Sequence, residues 1–428
     1  MRPAAQIQAT IELLDQISAN TYPADRTMAQ YFKQRRYIGS KDKANISENF
    51  YQILRNRLSY EYLLEQADLG THSRMLVALK LCLDGNDLSE YFNGAQYSPK
   101  PLRAEQLAGF SHISAEHLQN APLNVQLNVP QWLEPRLQAA LGDHYHVEML
   151  ASNQRANTDI RVNTLKISRD ELVDRLTTAG YSSEPTQLSP WGLRFEGRVA
   201  LSTLDMFRQG LFEMQDQGSQ LLALLTDVKP GNKVIDFCAG AGGKTLAMAA
   251  MMENKGSIYA CDVHTKRLEQ LAKRTKRAGV HNVRSHNLSS EHDKWVKKHQ
   301  ELADVVLLDV PCTGTGTWRR SPDSRWNLKP EDLQNLSTLQ MSIIQSAKRL
   351  VKRGGRLIYA TCSLLREENE QIVAQFLQEN TDFSALDFEL PSALAALSDS
   401  YLIEGYRFRS LPALSETDGF FAASLQRN

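Results

Sequence analysis

Apolar residues early in the chain fall at helical intervals. Ile11, Leu14 and Ile17, then Ile46, Phe50, Ile53 and Leu54, recur every three or four positions, the spacing that gives a helix one apolar face. The pattern predicts a helical region over residues 1–125. From 126 to 210 it changes. Ile160-Arg161-Val162-Asn163 and Leu193-Arg194-Phe195 read as short strands. A helix is expected from Ser168, an N-cap with Glu171 at the capping-box position. Residues 126–210 therefore predict a small α+β module.

Beyond residue 211 the pattern is strongest. Apolar runs ending in acids or cysteines alternate with helical stretches: Val234–Asp236, Ile258–Asp262, Val305–Asp309 and Leu357–Cys362. Unbroken apolar runs are what parallel strands look like when helices cover both faces. The alternation predicts an α/β, doubly wound sheet over 211–428. Ligands of such sheets bind at the carboxyl ends of the strands, where these acids and cysteines fall.

Composition narrows this only modestly. A chain of 428 residues, 42% hydrophobic and 23% charged, has the balance of a globular protein with about two to three domains. No apolar run reaches the ~20 residues of a membrane helix, and the N-terminal stretch, carrying Asp15, does not read as a signal peptide. A cytoplasmic monomer with no membrane association is expected. The five cysteines are odd in number and scattered, giving no disulfide framework. Cys261-x-x-His264 has no second pair at ligand spacing, so no metal site is expected. Net charge is zero, so affinity for a polyanion must come from local patches. Lys33, Arg35, Arg36, Lys41, Lys43, Arg55 and Arg57 form one such crowd, readable equally as a solvated helix face or as an RNA contact.

The run ending at Asp236 continues Cys238-Ala239-Gly240-Ala241-Gly242-Gly243-Lys244-Thr245 into a helical stretch. Glycines let the backbone turn sharply, and the helix start offers free N–H groups. The loop fails the phosphate-loop template, because Cys238 stands where a glycine is needed, and fails the dinucleotide template because its glycines are at 240, 242 and 243. An off-template glycine loop between strand and helix suits S-adenosylmethionine. Asp262, at the end of the next strand, is placed to accept hydrogen bonds from a ribose diol.

Asp309-Val310-Pro311-Cys312 closes one run and Thr361-Cys362-Ser363 the next. Single free cysteines are usually inert and buried, but two at neighbouring strand ends point to chemistry. Carbon 5 of cytosine reacts poorly with a sulfonium methyl group. A thiolate added to carbon 6 turns the ring into an enamine and makes carbon 5 nucleophilic. An acid at ring N3 assists, and Asp309 is the candidate, provided it is protonated or shares a proton. A second thiol is then useful for release. The spacing does not say which cysteine does which.

The blocks CAGAGGKT, DVPCTGTG, WRRSPDSRW, YATCS and DGFF resemble the bacterial RNA 5-methylcytosine methyltransferases, in particular their 16S rRNA branch. The resemblance implies a Rossmann-like methyltransferase core, an antitermination-factor-like RNA-binding bundle before it and a strand-rich module between. It implies Cys362 as the nucleophile and Cys312 as the residue that aids release. It also implies a cofactor loop from Cys238 to Lys244, Asp262 as the ribose acid and Asp309 as the strand-four acid. Three positions, in two places, depart from the pattern. Gly240 and Ala241 replace Ala and Pro in the loop, and Asn287 stands where the family has an acid near the adenine amine. A transfer-RNA cytosine-C5 enzyme, a methyltransferase acting on protein or a small molecule, and a non-catalytic RNA-binding factor are the alternatives. RNA contact is expected from Trp318–Trp326, by arginine on phosphate and tryptophan on unpaired bases, and from the basic helix carrying Lys266, Arg267, Lys273, Arg274, Lys276 and Arg277.

Overall fold

A computed structural model describes residues 1–19, 22–197, 199–389 and 402–428. The chain divides into two compact units: residues 1–154 with 318–328, and residues 155–317 with 329–428.

The first unit is helical. Its longer helices span Pro3–Ser18, Ala24–Gln34, Ser40–Arg55, Arg57–Gln66 and Ser73–Leu83. The apolar positions singled out by their spacing are where the core forms: Leu14, Ile46, Phe50, Ile53 and Leu54 are all buried in one cluster. Helices Glu134–Leu141 and Tyr145–Ser152 pack with the helical unit, ahead of the first strand of the module.

Among the described residues, the second unit holds two sheets. The smaller joins β1 (Thr158–Val162), β2 (Glu184–Pro185), β3 (Gly192–Phe195) and β4 (Phe212–Met214) in the order β2-β3-β1-β4, with Ile160 opposite Leu193. Helix Arg169–Thr178 packs against it and starts as expected, with Ser168 Oγ accepting from the Glu171 N–H at 3.2 Å.

The larger sheet begins with β5 (Lys233–Asp236), β6 (Ser257–Asp262), β7 (Val283–Asn287), β8 (Ala303–Asp309) and β9 (Val351–Thr361). These are parallel, in the order β7-β6-β5-β8-β9. The order reverses between β5 and β8, and the crevice at such a reversal is where ligands bind. Val306, Leu307 and Leu308 of β8 are wholly buried, which is why that run shows no polar alternation. β7 lies at the edge and is half-exposed, so it leaves no apolar run to read. On the other side, β10 (Phe383–Ala385), β11 (Ile403–Glu404), β12 (Arg407–Ser410) and β13 (Phe420–Arg427) extend the sheet, β13 running antiparallel to β9 with Phe421 opposite Thr361.

Candidate active site

The glycine loop turns between β5 and helix Gly243–Met251. Gly242 has φ of 86°, and a Cβ there would meet Leu271 Cδ1 at 2.0 Å, so only glycine fits. Three bonds hold the loop: Ala239 N–H donates to the Cys261 carbonyl at 2.9 Å, Arg274 Nη1 donates to the Ala241 carbonyl at 2.8 Å, and Gly240 N–H donates to Asp262 Oδ2 at 2.8 Å. The other Asp262 oxygen accepts from His264 N–H at 2.7 Å. The carboxylate is therefore fixed before any ligand arrives, and each oxygen keeps a further lone pair for a hydroxyl.

The loop, Asp262 and both cysteines open on one cavity of about 550 Å³. Of the residues expected at the site, Cys238, Ala239, Gly240, Ala241, Gly243, Lys244, Asp262, Asp309, Cys312 and Cys362 line it. Gly242 faces Leu271 instead. Asn287 is also off the wall: its Nδ2 donates to the Asp262 carbonyl at 2.9 Å and its Oδ1 accepts from Thr265 at 2.8 Å. Expected as an adenine contact, it braces the turn that carries Asp262, and the neighbouring Leu288 takes the place on the cavity. Arg267, Ser219 and Asp236 line the cavity without having been singled out for it. Asp236 is buried; its Oδ2 accepts from Thr245 at 2.6 Å, its Oδ1 has no partner, and burial pushes its carboxyl up to about 7.

The two sulfurs stand 3.2 Å apart. Both thiols are free and half-buried. The hydrogen bond to Cys362, then burial, then the charges of Cys362 and Glu368 push the Cys312 thiol well up. Nearby, Lys244 Nζ pairs with Asp309 Oδ2 at 2.7 Å. Burial pulls the Lys244 ammonium down, but Asp309, with Cys362 and Asp236, outweighs it and holds it above its ordinary value. Asp309 is thus half of an ion pair, and the mobile proton of the pair sits on Lys244.

The basic candidates are largely spent on the protein itself. Trp318 and Arg325 are buried within the first unit. Arg325 donates to the Asn128 carbonyl at 2.9 Å, Asn153 Oδ1 at 2.6 Å and the Ser152 carbonyl at 3.2 Å, and Trp326 Nε1 donates to the Leu54 carbonyl at 2.7 Å. Arg319 is buried too, and of this loop's arginines Arg320 alone is exposed. The loop is a structural staple rather than the expected phosphate and base clamp. In helix Thr265–Ala278, Arg274 and Arg277 grip buried Glu213 at 3.0 and 2.7 Å, leaving Lys266, Arg267, Lys273 and Lys276 exposed. In the first unit, Arg35 pairs with Glu12, Arg57 with Glu61, and Arg55 is buried, while Lys33, Arg36 and Lys41 are exposed.

A glycine loop and fixed acid at the switch point of a doubly wound sheet define a Rossmann-like, S-adenosylmethionine-dependent methyltransferase, and the residues present fit that cofactor. The family model for the 16S rRNA methyltransferase RsmB/F matches residues 223–426, and that for the RsmF/B-like ferredoxin-like domain matches 129–202. The probable ribosomal RNA small subunit methyltransferase B of Synechocystis is 34% identical over 71% of this chain and 68% of its own. Its Bacillus subtilis counterpart is 30% identical over 76% and 72%. Among solved structures, PH0851 superposes over 100% of this chain and 99% of its own, with a TM-score of 0.79 at 28% identity. A methyltransferase homolog from Pyrococcus horikoshii covers 74% of this chain and 100% of its own, with a TM-score of 0.60 at 30% identity. The chain belongs to the 16S rRNA methyltransferase RsmB/F family, whose members are small-subunit ribosomal RNA methyltransferases.

Proposed function

We propose that this protein methylates carbon 5 of a cytosine in small-subunit ribosomal RNA, through a covalent bond between Cys362 and carbon 6 of the ring. The observation that carries the reading is the pair of sulfurs 3.2 Å apart on the cavity that also holds the glycine loop. With Cys312 protonated, its S–H donates to the Cys362 sulfur, which attacks in its nucleophilic thiolate form. As the sulfur–carbon 6 bond forms, electrons shift towards N3, and the proton needed there comes from the Lys244–Asp309 pair. The bound cofactor supplies a methyl group that the activated carbon 5 accepts. A solvent water takes the carbon 5 proton as the C5–C6 double bond re-forms and the C6–S bond breaks, the N3 proton returns to the Lys244–Asp309 pair, and the Cys312 S–H hydrogen-bonds to the departing Cys362 thiolate. Loop residues Gly240 to Lys244, with Asp262 and Arg267, hold the cofactor, and Asn287 positions Asp262. The helical unit, through Lys33, Arg36 and Lys41, contributes RNA contact. A target base held in a duplex has to be extruded before Cys362 can reach it.

Cys362→Ala is expected to abolish methylation and leave cofactor affinity unchanged. Cys312→Ala is expected to accumulate a protein–RNA adduct that survives denaturing electrophoresis. Activity persisting in the Cys362 variant, with no adduct in the Cys312 variant, would remove the covalent mechanism. Bisulfite mapping of RNA from cells lacking the protein identifies the nucleotide.

A further inference from the structure

Cys312 follows β8 and Cys362 follows β9, and a buried polar cluster joins their two loops. At its centre is Glu368, wholly buried. Its Oε1 accepts from the Thr313 N–H and from Gln340 Nε2, both at 2.9 Å, and its Oε2 accepts from the Thr313 hydroxyl at 2.5 Å. Gln340 also donates to the Pro311 carbonyl at 2.9 Å, so the residues on both sides of Cys312 are tied to one carboxylate. The other loop is held from the same place. Tyr359 donates to the Glu368 carbonyl at 2.6 Å, and Asn369 accepts from Thr361 at 2.6 Å and donates to the Ser363 carbonyl at 2.9 Å. Cys362 is thus flanked on both sides as well.

Burying an ionised carboxylate is costly, and a glutamine of the same shape could hold the same neighbours without that cost. The charge distinguishes the two residues here. It acts on Cys312, and adds to the hydrogen bond that Cys312 gives Cys362 and to burial in keeping that thiol protonated.

We propose that Glu368 is the positioning residue of the thiol pair, clamping the Cys312 loop on the Cys362 loop and giving the two sulfurs unequal surroundings, so that Cys362 attacks while Cys312 remains a thiol. Its use in catalysis rests on the covalent reading above, but its effect on the thiols can be read without RNA. The full-length protein is treated with iodoacetamide at about pH 8, and the peptides carrying each cysteine are quantified by mass spectrometry. Thiolate content governs the rate, so Cys362 is expected to react at least about tenfold faster than Cys312. Glu368→Gln keeps the shape and removes the charge; Cys312 should then speed up and the ratio fall to within about threefold. A ratio unchanged in a folded Glu368→Gln protein overturns the proposal. If that variant does not fold, Gln340→Leu loosens the same clamp from its far side. It should lower kcat at least about tenfold with KM for a small-subunit rRNA transcript held within about twofold, and an unchanged kcat overturns the proposal equally. A collapsed ratio together with no RNA adduct in Cys312→Ala would retain the clamp and discard the covalent mechanism.

Discussion

Asp236 carries a buried carboxyl with one oxygen satisfied by Thr245 and the other bare. Because burial raises it to about 7, the folded state holds its proton where the unfolded chain, near 3.8, has released it. The stability this contributes is complete below the unfolded value and is lost as pH rises through the folded one. Asp236→Asn keeps the bond to Thr245 and removes the titration. Between pH 5 and pH 8 the variant is expected to gain roughly 3 kcal/mol on the wild type in urea unfolding, and a pH-independent difference would contradict the assignment. Such details were partly legible in the sequence. Cys312, Cys362, Asp309 and Asp262 each close a strand, so topology alone brought them to one cavity. Glu368 and Gln340 gave no signal, because they act on a partner 55 or 29 residues away and look like any polar residue of a turn or helix. Asn287 misled for a related reason. Its position was right, but its amide turns to the backbone of Asp262 rather than to the cavity.

Among elements, Trp318–Leu328 departs furthest from expectation. An arginine- and tryptophan-rich stretch after Cys312 has the composition of an RNA-binding loop, and composition does not record whether its charges are already used. Arg325 meets three acceptors within the first unit, and burial, with Arg55 nearby, pulls its guanidinium down to about 9. Arg325→Ala strands those acceptors and opens a cavity, and is expected to cost about 3–5 kcal/mol in unfolding free energy. It should leave the salt dependence of RNA binding as it was; a flattened dependence with intact stability would restore the loop to the interface. The five parallel strands were legible except β7, whose edge position leaves its residues half-exposed. β13 was not read as a strand, since an antiparallel strand after a long connection has no local cue to its partner.

For the molecule as a whole, zero net charge means that affinity for RNA is a property of patches. The structure divides the basic residues into those spent internally and those left at the surface, a distinction no count of lysines and arginines makes. Lys33, Arg36 and Lys41 are exposed in the helical unit. Replacing all three with alanine should weaken binding to a 16S rRNA transcript. The slope of log affinity on log salt should become shallower by about 2–3, since each phosphate left without its cation keeps its own counterion. An unchanged slope would place the RNA elsewhere.

The Cys312 loop is stitched from a distance. Gly316 N–H donates to the Cys362 carbonyl at 2.9 Å, and its own carbonyl accepts from Gly419 N–H at 2.8 Å, so closely that a Cβ at Gly316 would meet the Gly419 oxygen at 2.0 Å. β13 then lies along β9 directly beside Thr361. During translation, the strand that seals the catalytic edge is therefore threaded in after every parallel strand has been made. A nascent chain lacking residues 419–427 has both sulfurs but not the backbone seam that registers them, so the pair comes into register only once β13 has been made.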